Sequence, residues 1–207
     1  MTDPDPGAPS PIPLESLAGG AAPPEIADDL RAVTQLPLPA QQRLWEALGP
    51  CLRDPIGPEV ERRLDHFCQT HGVPDGDLAR VIKACRFLIR EASVVDADRD
   101  AFARDLGRLC PDAPAVGEIL LPAYELAKAQ VRSEILENTL ADHGKLVEGI
   151  DWSVDVLSSS SRGEKLGLPV IVITFRYREG ARHDRITLRF VPAFVKRLRE
   201  ICGRLVG

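Results

Sequence analysis

Apolar and polar positions divide the chain into a long stretch of helical period and a final third that alternates. From Pro24, Ile26, Leu30 and Val33 recur at helical spacing, with Glu25, Asp28 and Asp29 as the acidic first turn that a helix favours, until Pro37 and Pro39 break the run. Leu44, Trp45 and Leu48 predict a second helix stopping before Gly49-Pro50. Val60, Leu64 and Phe67 predict a third, from Pro58 to near Gly72. Asp75 or Asp77 is expected to cap a fourth, whose stripe is Leu78, Val81, Ile82, Cys85, Leu88 and Ile89. A shorter helix through Phe102, Leu106 and Leu109 stops at Pro111. The next is long: it starts between Ala115 and Pro122, according to whether Pro122 kinks it or occupies its first turn. It runs to about Asp142 with Leu120, Tyr124, Ala127, Val131 and Ile135 inward, and Gly144 follows its end. The short connections predict a compact helical bundle.

After Gly144 the period falls to two. Ile150, Trp152, Val154 and Val156 share one face of a strand, and Asp151, Ser153 and Asp155 share the other. The segment LPVIVITFRY is apolar on both faces, with Val170 and Val172 on one and Ile171, Ile173, Phe175 and Tyr177 on the other. Ile186, Leu188 and Phe190 face one way on a third strand. A helix begun by Pro192 then carries Phe194, Leu198, Ile201 and Leu205 at i, i+4, i+7 and i+11. The fold class is therefore α+β: an all-helical N-terminal bundle followed by a C-terminal three-stranded antiparallel sheet plus one helix. One helix covers one face. The other must meet the N-terminal region or a second copy of the segment.

Leu146-Val147, then Trp152-x-Val154-Asp155, a polar loop, Pro169-Val170 leading an apolar strand, and a closing amphipathic helix together resemble the COMM domain over the final third. The resemblance implies obligate interlocking dimers and a role as an assembly module rather than an enzyme. It places Trp152, Val154, Val156, Val170, Ile171, Val172, Ile173, Phe175, Ile186, Leu188, Phe190, Phe194, Leu198 and Ile201 at an interface. A small helical domain before the COMM part is common in that family.

Residues 1–24, with seven prolines and three glycines, show neither period and are expected to be a disordered arm. The expected organisation is then a helical domain over 25–114, a connecting helix over 115–143 and a COMM-like dimerisation domain over 144–207. Residues 1–149 hold 15 Lys/Arg against 25 Asp/Glu, net −10, and 150–207 hold 11 against 6, net +5, giving the total of −5. Opposite signs favour contact between the parts or between copies over a polyanion partner. No apolar run is long enough to span a membrane and no signal peptide is evident, so a cytoplasmic protein is expected. Five cysteines without a CxxC pair read as free thiols of a reducing compartment.

Candidate chemistry is thin. His66-x-Cys68-x-x-His71 has metal-ligating residue types, but five-residue spacing on a helix points the histidines to different sides and a second ligand pair is missing. Ser158 to Gly163 has the composition of a phosphate cradle without a following Walker lysine, and reads as a strand-connecting loop. Arg176, Arg178, Arg182, Arg185, Arg189, Lys196, Arg197, Arg199 and Arg204 form a candidate anion patch without interleaved aromatic platforms. No histidine sits in a nucleophile context. The sequence therefore predicts a non-catalytic scaffold without cofactor or metal, whose partner is itself, as a homodimer or higher even oligomer, or another COMM-like chain. The alternative is an anion-binding module for nucleic acid or anionic lipid.

Overall fold

The computed structural model describes residues 13–110, 112–158 and 167–206. The elements are α1 (Pro24–Gln35), α2 (Leu38–Gln42), α3 (Leu44–Cys51), α4 (Pro58–His71), α5 (Asp75–Val94), α6 (Arg99–Leu109), α7 (Ala113–Leu120) and α8 (Tyr124–His143), then β1 (Leu146–Leu157), β2 (Leu168–Glu179), β3 (Arg182–Phe190) and α9 (Pro192–Val206). The α+β class is as expected. The chain divides into two compact units, Met1–Ile135 and Leu136–Gly207. Among the described residues, no helix is long and apolar enough to cross a membrane.

In the first unit, prolines open helices and a glycine closes one. Pro24 and Pro58 occupy first-turn positions, where a missing N–H loses no bond. Gly72 ends α4 at φ +63°, a left-handed conformation that glycine adopts without steric cost. The second expected helix is α3, and a short helix not expected from the sequence, α2, precedes it; Arg43, at φ −112° and ψ 12°, separates the two. α3 also continues past the expected stop and contains Pro50. Pro50 forfeits the bond that an N–H there would make to the Glu46 carbonyl, a cost offset by the burial of Leu48, Cys51 and Leu52. Asp75 and Asp77 do not cap α5; Pro74 holds that position, and the two carboxylates lie in the first turn, where they meet the positive end of the helix dipole. Asp98 caps α6, accepting from the Ala101 N–H at 2.7 Å. The long helix is broken by a 3-10 turn at Leu121–Ala123 that contains Pro122, separating α7 from α8.

The core of this unit is built on α5, whose Leu78, Val81, Ile82, Cys85, Leu88 and Ile89 are all buried, as their spacing predicts. Tyr124 of α8 stacks on Phe102 with centroids 4.3 Å apart and donates its hydroxyl to the Ala97 carbonyl at 2.8 Å. Burial pushes its phenol well above the usual value. Buried Glu134 of α8 accepts from the Arg90 guanidinium of α5 at 3.2 Å and from the Asp54 N–H at 3.4 Å, so its charge is compensated.

The expected disordered arm is not disordered over residues 13–23; residues 1–12 lie outside the described residues. Pro13 bridges to Ala21, Glu15–Leu17 form a 3-10 turn, and Leu14 is fully buried. Buried Asp105 of α6 accepts from the Ser16 N–H and hydroxyl, both at 2.6 Å, and from the Glu15 N–H at 3.1 Å. Arg108 compensates its charge at 3.1 Å, and Arg104 holds Glu15 at 2.7 Å. One buried leucine and one carboxylate fix this segment, so no repeating face marks it in the sequence.

In the second unit the strands order β1-β2-β3, antiparallel throughout. The register aligns Trp152 with Ile173 and Ile173 with Leu188, Val154 with Ile171 and Ile171 with Phe190, and Ile150 with Phe175 and Phe175 with Ile186. A bulge between Val147 and Gly149 bends the start of β1. The β2–β3 hairpin turns at Gly180, at φ +57°, whose N–H donates to the Ala141 carbonyl at 2.7 Å.

Asp105→Ala removes the shared acceptor of two backbone N–H groups and a hydroxyl while leaving Arg108 without its carboxylate. It is expected to lower stability by about 2–4 kcal/mol and to release residues 14–20 first. Urea unfolding with hydrogen exchange checks this: the Glu15 and Ser16 amides should exchange faster than those of α5.

Candidate interaction surface

Strand periodicity places the candidate residues because paired positions across an antiparallel sheet share a face. Trp152, Val154, Val156, Ile171, Ile173, Phe175, Ile186, Leu188 and Phe190 therefore lie together on one face, and Val170 and Val172 on the opposite one. Ile150 and the Val147–Tyr177 pair extend the first face toward the bulged end of β1. Phe194, Leu198 and Ile201 lie on α9, which meets the sheet where Phe194 stacks on Phe190, centroids 5.4 Å apart and planes 18° apart.

Burial separates the two units sharply. Among the described residues of Leu136–Gly207, Ala141 is the one buried apolar residue. Trp152 is 73% exposed, Val156 67% and Leu205 78%, while β2 is half-buried from Val170 to Phe175. The expectation that one helix covers one face is thus too generous: α9 touches the sheet at its own first turn, and Phe194, Leu198 and Ile201 remain exposed. The result is a broad apolar sheet face and an apolar helical stripe in one small unit, more exposed apolar surface than a folded unit of this size ordinarily displays.

The opposite face is polar. Arg176 pairs with Asp151 at 3.3 Å, and Arg178 with Glu148 at 2.8 Å; His183 also reaches Glu148, at 3.2 Å. The hydrogen bond from Arg178 holds the Glu148 carboxyl below its usual value. Thr174 and Thr187 hydrogen-bond across the strands at 2.9 Å. On the Trp152 face, where Asp184 pairs with Tyr177, Arg182 is held by Asp184 at 3.0 Å. Among the described residues, Arg185, Arg189, Lys196, Arg197, Arg199 and Arg204 have no acidic partner. Sequence alternation puts Arg176 and Arg178 together correctly but does not reveal that both are already neutralised.

The remaining candidates separate in space. His66 and His71, expected on different sides of their helix, both line one cleft of about 450 Å³ with Arg43, Glu46, Glu59, Arg62, Arg63 and Thr70. Phe67 brings the His71 ring inward, with centroids 4.5 Å apart. Cys68 lines a different cleft, and no group of three or more metal-ligating side chains occurs among the described residues. Burial is the leading cause of the raised thiol values of Cys51, Cys68 (to about 11) and Cys85 (to about 12), which keeps them protonated, while Cys202 is exposed on α9. Of the Ser158–Gly163 loop, residues 159–163 lie outside the described residues. Neither a scan against protein-family models nor a search of the curated proteins returns a match for the chain.

Proposed function

We propose that the chain is a non-catalytic assembly protein that pairs with a second copy of itself through the Trp152 face of its C-terminal sheet and the apolar stripe of α9. The observation that carries the reading is the missing interior: three strands and a helix with no large apolar side chain buried. A unit of this size is marginal even with a complete core. A second copy supplies a covering layer of the same shape and character, and a twofold pairing of identical faces closes without leaving an open end. The order of three antiparallel strands and a closing helix, with Trp152 exposed on the edge strand β1 opposite Ile173, supports the resemblance to the COMM domain and the dimer it implies.

Size-exclusion chromatography with light scattering is expected to give a dimer or a higher even oligomer, and a clean monomer at about 10 µM would rule the pairing out. Trp152→Asp places a charge in the buried layer and should weaken association by about 2–4 kcal/mol or leave the protein insoluble. A soluble, folded and still dimeric variant would mean that the interface lies elsewhere.

A second reading, an anion-binding module, is favoured by the cations of β3 and α9 that lack acidic partners among the described residues. If it holds, binding to single-stranded nucleic acid or anionic vesicles should fall steeply with salt. It should also be lost in Arg185→Glu/Arg189→Glu/Arg197→Glu but largely retained when the neutralised Arg176 is changed. Absence of binding at low salt removes this reading.

A further inference from the structure

The first unit carries a cleft of about 680 Å³ that lies along α5 and is walled by α1, by α4 and by the segment after α3. Its apolar lining comes from Ile26, Ile56, Leu64, Leu78, Ile82 and Phe87. Along α5 the cleft runs from Asp75 to Glu91, positions whose separation is roughly 24 Å at the rise of an α-helix. It is thus a long channel rather than a compact hole.

Its charges are unbalanced in a specific way. The three cations that line it are already engaged: Lys83 with Glu25 at 3.7 Å, Arg86 with Asp54, and Arg90 with Asp54 at 3.2 Å. Asp65 and Asp75 flank one end beside Cys68, and Glu91 stands at the other; among the described residues none of these three carboxylates has a cationic partner. Ala79 and Lys83 are exposed along the middle, so the channel is accessible from solvent. An apolar channel with surplus negative charge at both ends selects an occupant with an apolar stripe and positive ends. Its length matches about four to five turns of helix.

We infer that this cleft is a docking groove for an amphipathic helix of a partner protein, one whose apolar stripe is flanked at both ends by Lys or Arg. The inference is independent of the pairing through the C-terminal sheet, since every residue that carries it belongs to the first unit. Apolar contacts with Ile56, Leu64 and Phe87 supply most of the affinity, and the carboxylates fix the orientation and reject acidic helices.

The test uses the full chain and a synthetic 16-residue helix with a leucine stripe, lysines at both ends, a fluorophore and a central photo-cross-linker. A twin peptide carries glutamates in place of the lysines. Saturable binding of the basic probe by fluorescence anisotropy is expected, with cross-links mapping to residues 64–91. Ala79→Arg, a substitution on an exposed face of α5, should block the channel and weaken binding about tenfold or more. Asp65→Asn/Asp75→Asn/Glu91→Gln should weaken it about fivefold and flatten its salt dependence. Either variant alone suffices if the other fails to fold. Cross-links confined to residues 146–206, equal affinity for the acidic twin, unchanged binding in both variants, or no binding at about 100 µM protein would each overturn the inference.

Discussion

An apolar sheet face in water raises the free energy of any fold that displays it, and the second unit displays such a face without a layer of its own to cover it. Twelve-residue strands β1 and β2 carry large aliphatic and aromatic side chains at alternate positions, and their antiparallel register sums them into one surface rather than scattering them. Sheet hydrogen bonding can be complete in a single chain. Side-chain burial within the unit is not complete: α9 meets the sheet at the Phe190–Phe194 contact, and Phe194, Leu198 and Ile201 stay exposed. The pairing proposed above would cover this surface, and a change at Trp152 would then act on folding and assembly together.

The first unit has the opposite character. Its core runs from Leu14 to Val131, is centred on a helix buried along one side, and compensates the buried carboxylates Asp105 and Glu134 with Arg108 and Arg90. The two bodies therefore divide in character: the first presents surfaces on a filled interior, and the second presents apolar faces that its own residues leave exposed. The acidic channel along α5 fits this division, because a docking groove needs walls that do not collapse when it is empty.

Much of this was legible in the sequence where a single period persists. The α5 stripe, the inward residues of α8 and the two faces of β1 and β2 are each long runs of one spacing, and one rule locates all their buried or exposed positions. The misses arise where the determining contact is non-local. Glu15 and Ser16 are fixed by Asp105, some ninety positions away, and nothing in a proline-rich stretch announces that carboxylate. The continuation of α3 through Pro50 goes with burial of Leu48 and Cys51, which overrides local propensity. His66 and His71 converge on one cleft because Phe67 is buried and draws the His71 ring toward it.

The same reasoning explains why the apolar face could be read from the chain while the channel could not. A face needs only alternation within each strand, and the hairpin joining β2 to β3 brings adjacent strands into line. The channel combines residues from four helices and a connecting segment, none unusual in its own element: Asp65 and Glu91 look like solvated helix charges, and Ile56 like an isolated surface residue. Its character comes from subtraction. Once Glu25, Asp54 and Glu134 have taken up the neighbouring cations, the remaining charge is all of one sign and lies at the two ends of an apolar floor. Charge left over after internal pairing, rather than the charge a segment carries in sequence, is what a partner meets.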